Sequence, residues 1–210
     1  FEVTFWRSFF TAVSLLVILP LVQGRRVGLR LPLRSRYFWF SGLCWSVMFT
    51  AFMVALPLTA VANVLLTMAL GPLLTALLTR VFLRHRLPAR TWLAIVLAGI
   101  GIGWMYGSQL SLADPNFLIG SLVALCVPLA GSVQWTLAQK SQSEGQNLDL
   151  VPSVLLGAVI SSLFTLPLAM PFQASVHDVG LLAMLGLFQL AIPCALSVVC
   201  ARVLKAPEVA

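Results

Sequence analysis

The sequence predicts an all-α, polytopic transmembrane helix bundle, and three observations predict it. Sixty per cent of the residues are hydrophobic and only 9% are charged, against about a quarter charged in ordinary soluble domains. The mean hydropathy is +1.01. The apolar residues fall in unbroken runs long enough to cross a hydrocarbon layer of roughly 30 Å as helices, which excludes a closed barrel of short alternating strands. Seven such runs are present.

The run that sets the pattern lies between residues 54 and 90. It opens on the uncharged turn Leu56-Pro57-Leu58-Thr59 and ends against Arg80, Arg84, Arg86 and Arg90. Arginine-rich ends face the cytoplasm, so the run has a direction as well as a length. The predicted spans are residues 3–22, 37–55, 60–83, 91–107, 117–139, 150–172 and 179–204. Aromatic residues at 37–40, Trp92, Trp104 and Tyr106 suit the interfaces.

The loops confirm one another. Twelve of the thirteen Lys and Arg residues follow spans one, three, five and seven, and the thirteenth is Arg7, within the first span. The loops after spans two, four and six hold none. The start of the chain is therefore expected outside and its end in the cytoplasm, as an integral multi-pass protein of the cell (inner) membrane. The net charge of +7 is explained by this topology, so no nucleic-acid partner is expected; membrane lipids are. Cys44, Cys126, Cys194 and Cys200 lie in apolar runs with no C-x-x-C pair and read as small apolar residues. The chain starts at Phe1 and ends at Ala210 as a further apolar stretch opens, and reads as part of a longer protein.

Weak self-similarity organises the spans. Ile18-Leu19-Pro20-Leu21 is echoed by Thr165-Leu166-Pro167-Leu168 at an offset of 147, and the stretch from Ala55 to Ala60 by that from Ala201 to Ala206 at 146. The offset equals five spans, and a duplication of an odd number of spans leaves its copies inverted. This is the plan of many secondary transporters, whose substrate site lies near the midplane between halves. The expected division is residues 1–107, the first repeat without its first span, and residues 117–210, the second repeat without its last two. Two five-helix repeats give ten spans and an intact chain of about 290 to 300 residues.

Four stretches carry a family likeness: Phe5-Trp6-Arg7, Thr59-Ala60-Val61-Ala62, the run from Leu70-Gly71-Pro72 to Leu78, and Gly99-Ile100-Gly101-Ile102-Gly103. Together they resemble the EamA-type permeases of the drug/metabolite transporter superfamily, with this chain covering the second to the start of the ninth span. The resemblance implies ten helices, a central cavity and export or exchange of small organic solutes. One corner departs from it: the family commonly has an acidic residue at the end of its fourth span, and here the corner reads Leu83-Arg84-His85-Arg86.

The cavity candidates are the polar and aromatic residues within spans. Arg7 would cost about 2.5–3.5 kcal/mol at the bilayer centre on insertion scales, so it either faces a cavity or snorkels to the nearby outer interface. Gln134 and Trp135, Trp45, Asn63 with Thr67 one turn on, and Gln189 with Ser197 are the others. Helical spacing puts Gln189, Pro193 and Ser197 on one face at i, i+4 and i+8. Each could serve an interhelical hydrogen bond alone; as a set from four spans they read as a cavity lining. Pro72, Pro128 and Pro193 are expected to kink their helices, as gating elements or as fixed bends. Gly99, Gly103 and Gly107 offer a close-contact face, within the bundle or in a homodimer.

No nucleophile–base pair, metal-ligand spacing or phosphate-binding loop is present, so no cofactor, metal or catalytic residue is expected. The expected function is a secondary transporter, an exporter of small organic metabolites by alternating access, and not an enzyme. The rivals are a non-transporting membrane scaffold and an intramembrane lipid-modifying enzyme, the latter disfavoured because His85 and His177 fall on opposite sides.

Overall fold

The computed structural model describes residues 1–23, 32–83, 92–94, 96–97, 99–101, 103–104, 115–144 and 149–201. Among the described residues every regular element is helical. The helices are α1 (Glu2–Gln23), α2 (Arg36–Ala55), α3 (Val61–Met68), α4 (Gly71–Leu83), α5 (Pro115–Ser143), α6 (Val151–Ala169), α7 (Val176–Leu185) and α8 (Ile192–Cys200), with a π-helical segment, Gly186–Ala191, joining the last two. Among the described residues six stretches are long and apolar enough to cross a membrane: Glu2–Pro20, Arg36–Ala55, Val61–Phe82, Phe117–Ser143, Val151–Ala169 and Val176–Cys200. A shorter apolar helix, Trp92–Gly101, lies in the predicted fourth span.

The distribution of side chains is that of a membrane bundle. Small and hydroxyl-bearing residues are inside, among them Ser8, Thr11, Ser41, Ser132, Ser153, Ser161 and Thr165, while Leu16, Val17, Phe40, Leu122, Phe164 and Phe188 face outward. In lipid there is no hydrophobic gain in turning large apolar residues inward, so helices meet through small residues that admit close packing and polar ones that bond across it. The interior hydroxyls also bond to carbonyls one turn back, as Thr165 does to Ser161 at 2.8 Å and Thr136 to Ser132 at 2.7 Å.

At the centre α6 packs along both α1 and α2, α2 packs along α5, α4 lies on α5, and α1 crosses α7 and the π segment. Ser161 is the hub, within 3.1 Å of the Ser8 hydroxyl and 2.9 Å of the Thr50 hydroxyl. Close approach needs glycine here. A Cβ at Gly157 would collide with the Trp45 Cβ and come within 2.9 Å of the Gly42 carbonyl oxygen, and one at Gly42 would strike Leu156.

Cross-contacts sort the helix ends into two sets. The Glu2 carboxylate accepts the backbone N–H groups of Gln173 and Ala174 at 2.8–3.0 Å, joining the start of α1 to the α6–α7 connection. At the opposite end Tyr37 donates to Glu144 at 2.6 Å, and the Gln142 amide donates to the Ala201 carbonyl at 2.8 Å. Arg34, Arg36 and Lys140 lie at or beside this second set of ends, and the acid of the α7 capping box, Asp178, at the first.

The helix limits correct the expected spans in two places. The run 60–83 is two helices, α3 and α4, broken at Ala69 and Leu70, so Pro72 stands in the first turn of α4, where it removes no intrahelical bond. The run 179–204 starts earlier, at Val176, and changes winding before Pro193. Gly107, His85 and most of the basic loop residues, among them Arg25, Arg84 and Arg202, lie outside the described residues.

Candidate functional site

Residues of five spans line a partly open cavity of about 210 Å³. Helix α1 contributes Arg7; α2 contributes Trp45, Met48, Phe49 and Phe52; Met68 closes α3 and Val127 comes from α5. Gln189 and Leu190 of the π segment and Cys194 of α8 complete the wall. A smaller cavity of about 80 Å³ adjoins it, sharing Met48, Met68 and Val127 and extending to Gly71 and Thr75 of α4 and to Pro128, Gly131, Ser132 and Trp135 of α5. It reaches the break between α3 and α4.

The α2 wall follows from helical spacing. Trp45, Met48, Phe49 and Phe52 recur at three- and four-residue intervals and so form one stripe. Trp45 lies 5.5 Å from Phe49 by ring centroids and meets Trp135 edge-on at 5.9 Å and 89°, an arrangement favoured by the ring quadrupoles. This pair joins the walls of the two cavities.

Arg7 is 2% exposed, so the structure places it inside the bundle and not snorkelling outward. Its guanidinium carbon lies 5.8 Å from the centre of the Phe52 ring, within cation–π range, and its Nε has no hydrogen-bond partner among the described residues. The one ion pair among those residues is Lys140 with Glu144, at 4.0 Å on the periphery.

The π segment gives this region its register. Pro193 has no N–H to offer the Gln189 carbonyl one α-turn back, and its ring would crowd that oxygen. The chain responds by widening, and the Ile192 N–H bonds to Leu187, five residues back. The π winding is confined to this single widened turn, and regular α winding resumes at Ile192. Gln189, an exposed side chain, lines the cavity with Leu190 and Cys194, while Pro193 and Ser197 line neither cavity. Ser197 turns its hydroxyl to the Pro193 carbonyl at 2.8 Å instead. The Gly186 carbonyl also accepts a 3.1 Å bond from the Thr11 hydroxyl.

The cavities thus gather Arg7, Trp45, Gln189, Trp135 and Pro128 from the expected set. Asn63 and Thr67 are buried and line neither cavity; the Asn63 amide donates to Thr59 at 3.2 Å and the Thr67 hydroxyl to the Asn63 carbonyl at 2.7 Å. Gln134 is fully buried beside Trp135 in sequence but lines neither cavity, and neither amide atom has a partner among the described residues. A Cβ at Gly99 or Gly103 would meet nothing within 4 Å; the tight contacts among the described residues belong to Gly42, Gly120, Gly157 and Gly186. Met48, Phe49, Phe52, Met68, Leu190 and Cys194 are wall residues that the sequence reading passed over, although the α2 stripe was visible in its spacing. Among the described residues no group of three or more His, Cys, Asp or Glu is placed to hold a metal ion.

A family model described as the EamA-like transporter family matches residues 1–107. No curated protein and no solved structure matches the chain.

Proposed function

The chain belongs to the EamA-like transporter family, and from that premise we propose that it is a secondary transporter that exports small organic metabolites across the cytoplasmic membrane by alternating access. The observation that carries the reading is the cavity itself. It is walled by separate spans, holds one buried cation, and is bordered by a broken helix on one side and a π turn on the other. Irregular backbone at membrane depth is tolerated where it lines a cavity, and discontinuous helices are the usual frame of a transporter site.

The inverted repeat is part of this proposal, with residues 1–107 and 117–210 as its two units. In it α1 corresponds to α6, and α2 to the span built from α7, the π segment and α8. Exchanging these partners keeps the contacts among these four spans: α1 meets α6, α2 packs on α6, and α7 with the π segment packs on α1. The sets of helix ends support the sidedness, with Arg34, Arg36 and Lys140 together at the end assigned to the cytoplasm. A static scaffold would need the polar interior only for packing, and a cavity with an uncompensated cation is a poor packing device.

The test is the extracellular metabolite profile of cells overproducing the intact protein, beside a Trp45→Ala variant of equal membrane abundance. A defined solute should accumulate outside with the unaltered protein and fall several-fold with the variant. Identical profiles from both proteins and from cells lacking them would contradict the reading.

A further inference from the structure

We propose that the solute recognised in this cavity is a small organic monoanion, a carboxylate on an apolar body about the size of one ring, held by Arg7. The proposal rests on the transporter reading and names the substrate class of the same site.

Charge is the first argument. Arg7 is 2% exposed and lines the cavity, yet no carboxylate pairs with it among the described residues. The described acids are Glu2, Glu144, Asp149 and Asp178. Glu2 is engaged by the backbone of Gln173 and Ala174, Glu144 by Tyr37 and Lys140, and Asp178 by Ser175, while Asp149 accepts from the Val151 N–H at the start of α6. None lines either cavity. A desolvated cation is kept within a membrane domain when something completes its charge, and a bound anion would do so.

Geometry is the second argument. A guanidinium offers a planar fork of donors that matches a carboxylate in bidentate fashion. The Phe52 ring centre lies 5.8 Å from the guanidinium carbon, and Nε is without a hydrogen-bond partner among the described residues. The remaining wall is aromatic and aliphatic, from Trp45, Phe49, Met68 and Leu190, with Gln189 as the second polar group. One cation, one amide and no acid suit a single negative charge and disfavour an ammonium group. A volume of about 210 Å³, below the usual range for drug-sized ligands, suits one ring.

The intact protein, purified in detergent, is titrated with phenylpropionate, phenylpropanol and phenylpropylamine, with binding followed by isothermal titration calorimetry. Phenylpropionate should bind at least about tenfold more tightly than the other two, as expected for a charge-assisted pair in place of a neutral one. Arg7→Lys, which keeps the charge and guards against a folding artefact, should retain the preference; Arg7→Gln should abolish it. Equal affinities, preference for the amine, no binding of any of the three, or a preference that survives Arg7→Gln overturns the proposal. Flux into proteoliposomes separates it from its premise. Equal flux of all three compounds defeats the anion proposal and leaves the transporter reading standing. Arg7-dependent binding of phenylpropionate without movement of any solute leaves the anion site standing and defeats the transporter reading.

Discussion

The Thr11 hydroxyl lies 3.1 Å from the Gly186 carbonyl and 2.7 Å from the carbonyl of Arg7, so one side chain ties the π turn to the α1 turn that presents the cavity's cation. The backbones nearly touch here: a Cβ at position 186 would sit 2.9 Å from the Arg7 carbonyl oxygen. Thr11→Val keeps the shape and removes the donor. It should lower stability by about 1 kcal/mol, within the range of hydrogen bonds between membrane helices. Thermal unfolding in detergent measures this, and an unchanged Tm would mean that the bond contributes nothing.

Two glycine substitutions should behave in opposite ways. Gly157→Ala forces a methyl group against Trp45 and Gly42 and should cost about 1–3 kcal/mol, the usual range for overpacking. Gly99→Ala meets nothing within 4 Å, so it should be neutral or gain up to about 1 kcal/mol from helix propensity. Equal losses in Tm for the two variants would refute the assignment of close packing to Gly157.

Pro193→Ala restores the N–H whose absence forces the wide turn. Stability should hold or rise, since proline in a helix interior costs about 3 kcal/mol relative to alanine, while transport should fall as Gln189 swings off the cavity face. Rising Tm with unchanged transport would show that the π register is irrelevant to the site.

The spans were legible in the sequence because apolar runs and arginine-bearing ends are composition-level signals that tertiary packing does not rewrite. The break at Ala69 and Leu70 and the π turn were not. Pro72 and Pro193 announced that something happens near them, but a kink, a break and a change of winding leave the same trace in a sequence. Ser197, expected beside Gln189, lines neither cavity. Asn63, Thr67 and Gln134 could not be told from Gln189 either, because a polar residue within a span looks the same whether it faces a cavity or a neighbouring helix. Arg7 was singled out by its charge, and only the packing around it distinguished a cavity position from an interfacial one.

Cys194 offers the most direct test of the central claim, that this cavity is a wet site opened in turn to the two sides of the membrane. It lines the cavity wall beside Leu190, and a thiol in contact with water reacts where one facing lipid does not. With Cys44, Cys126 and Cys200 replaced by alanine in the intact protein, a membrane-impermeant thiol reagent is applied to vesicles of each orientation. The account predicts modification of Cys194 from both sides, slowed by the transported solute in each case. No modification from either side, or modification from one side alone whatever the solute present, would contradict it.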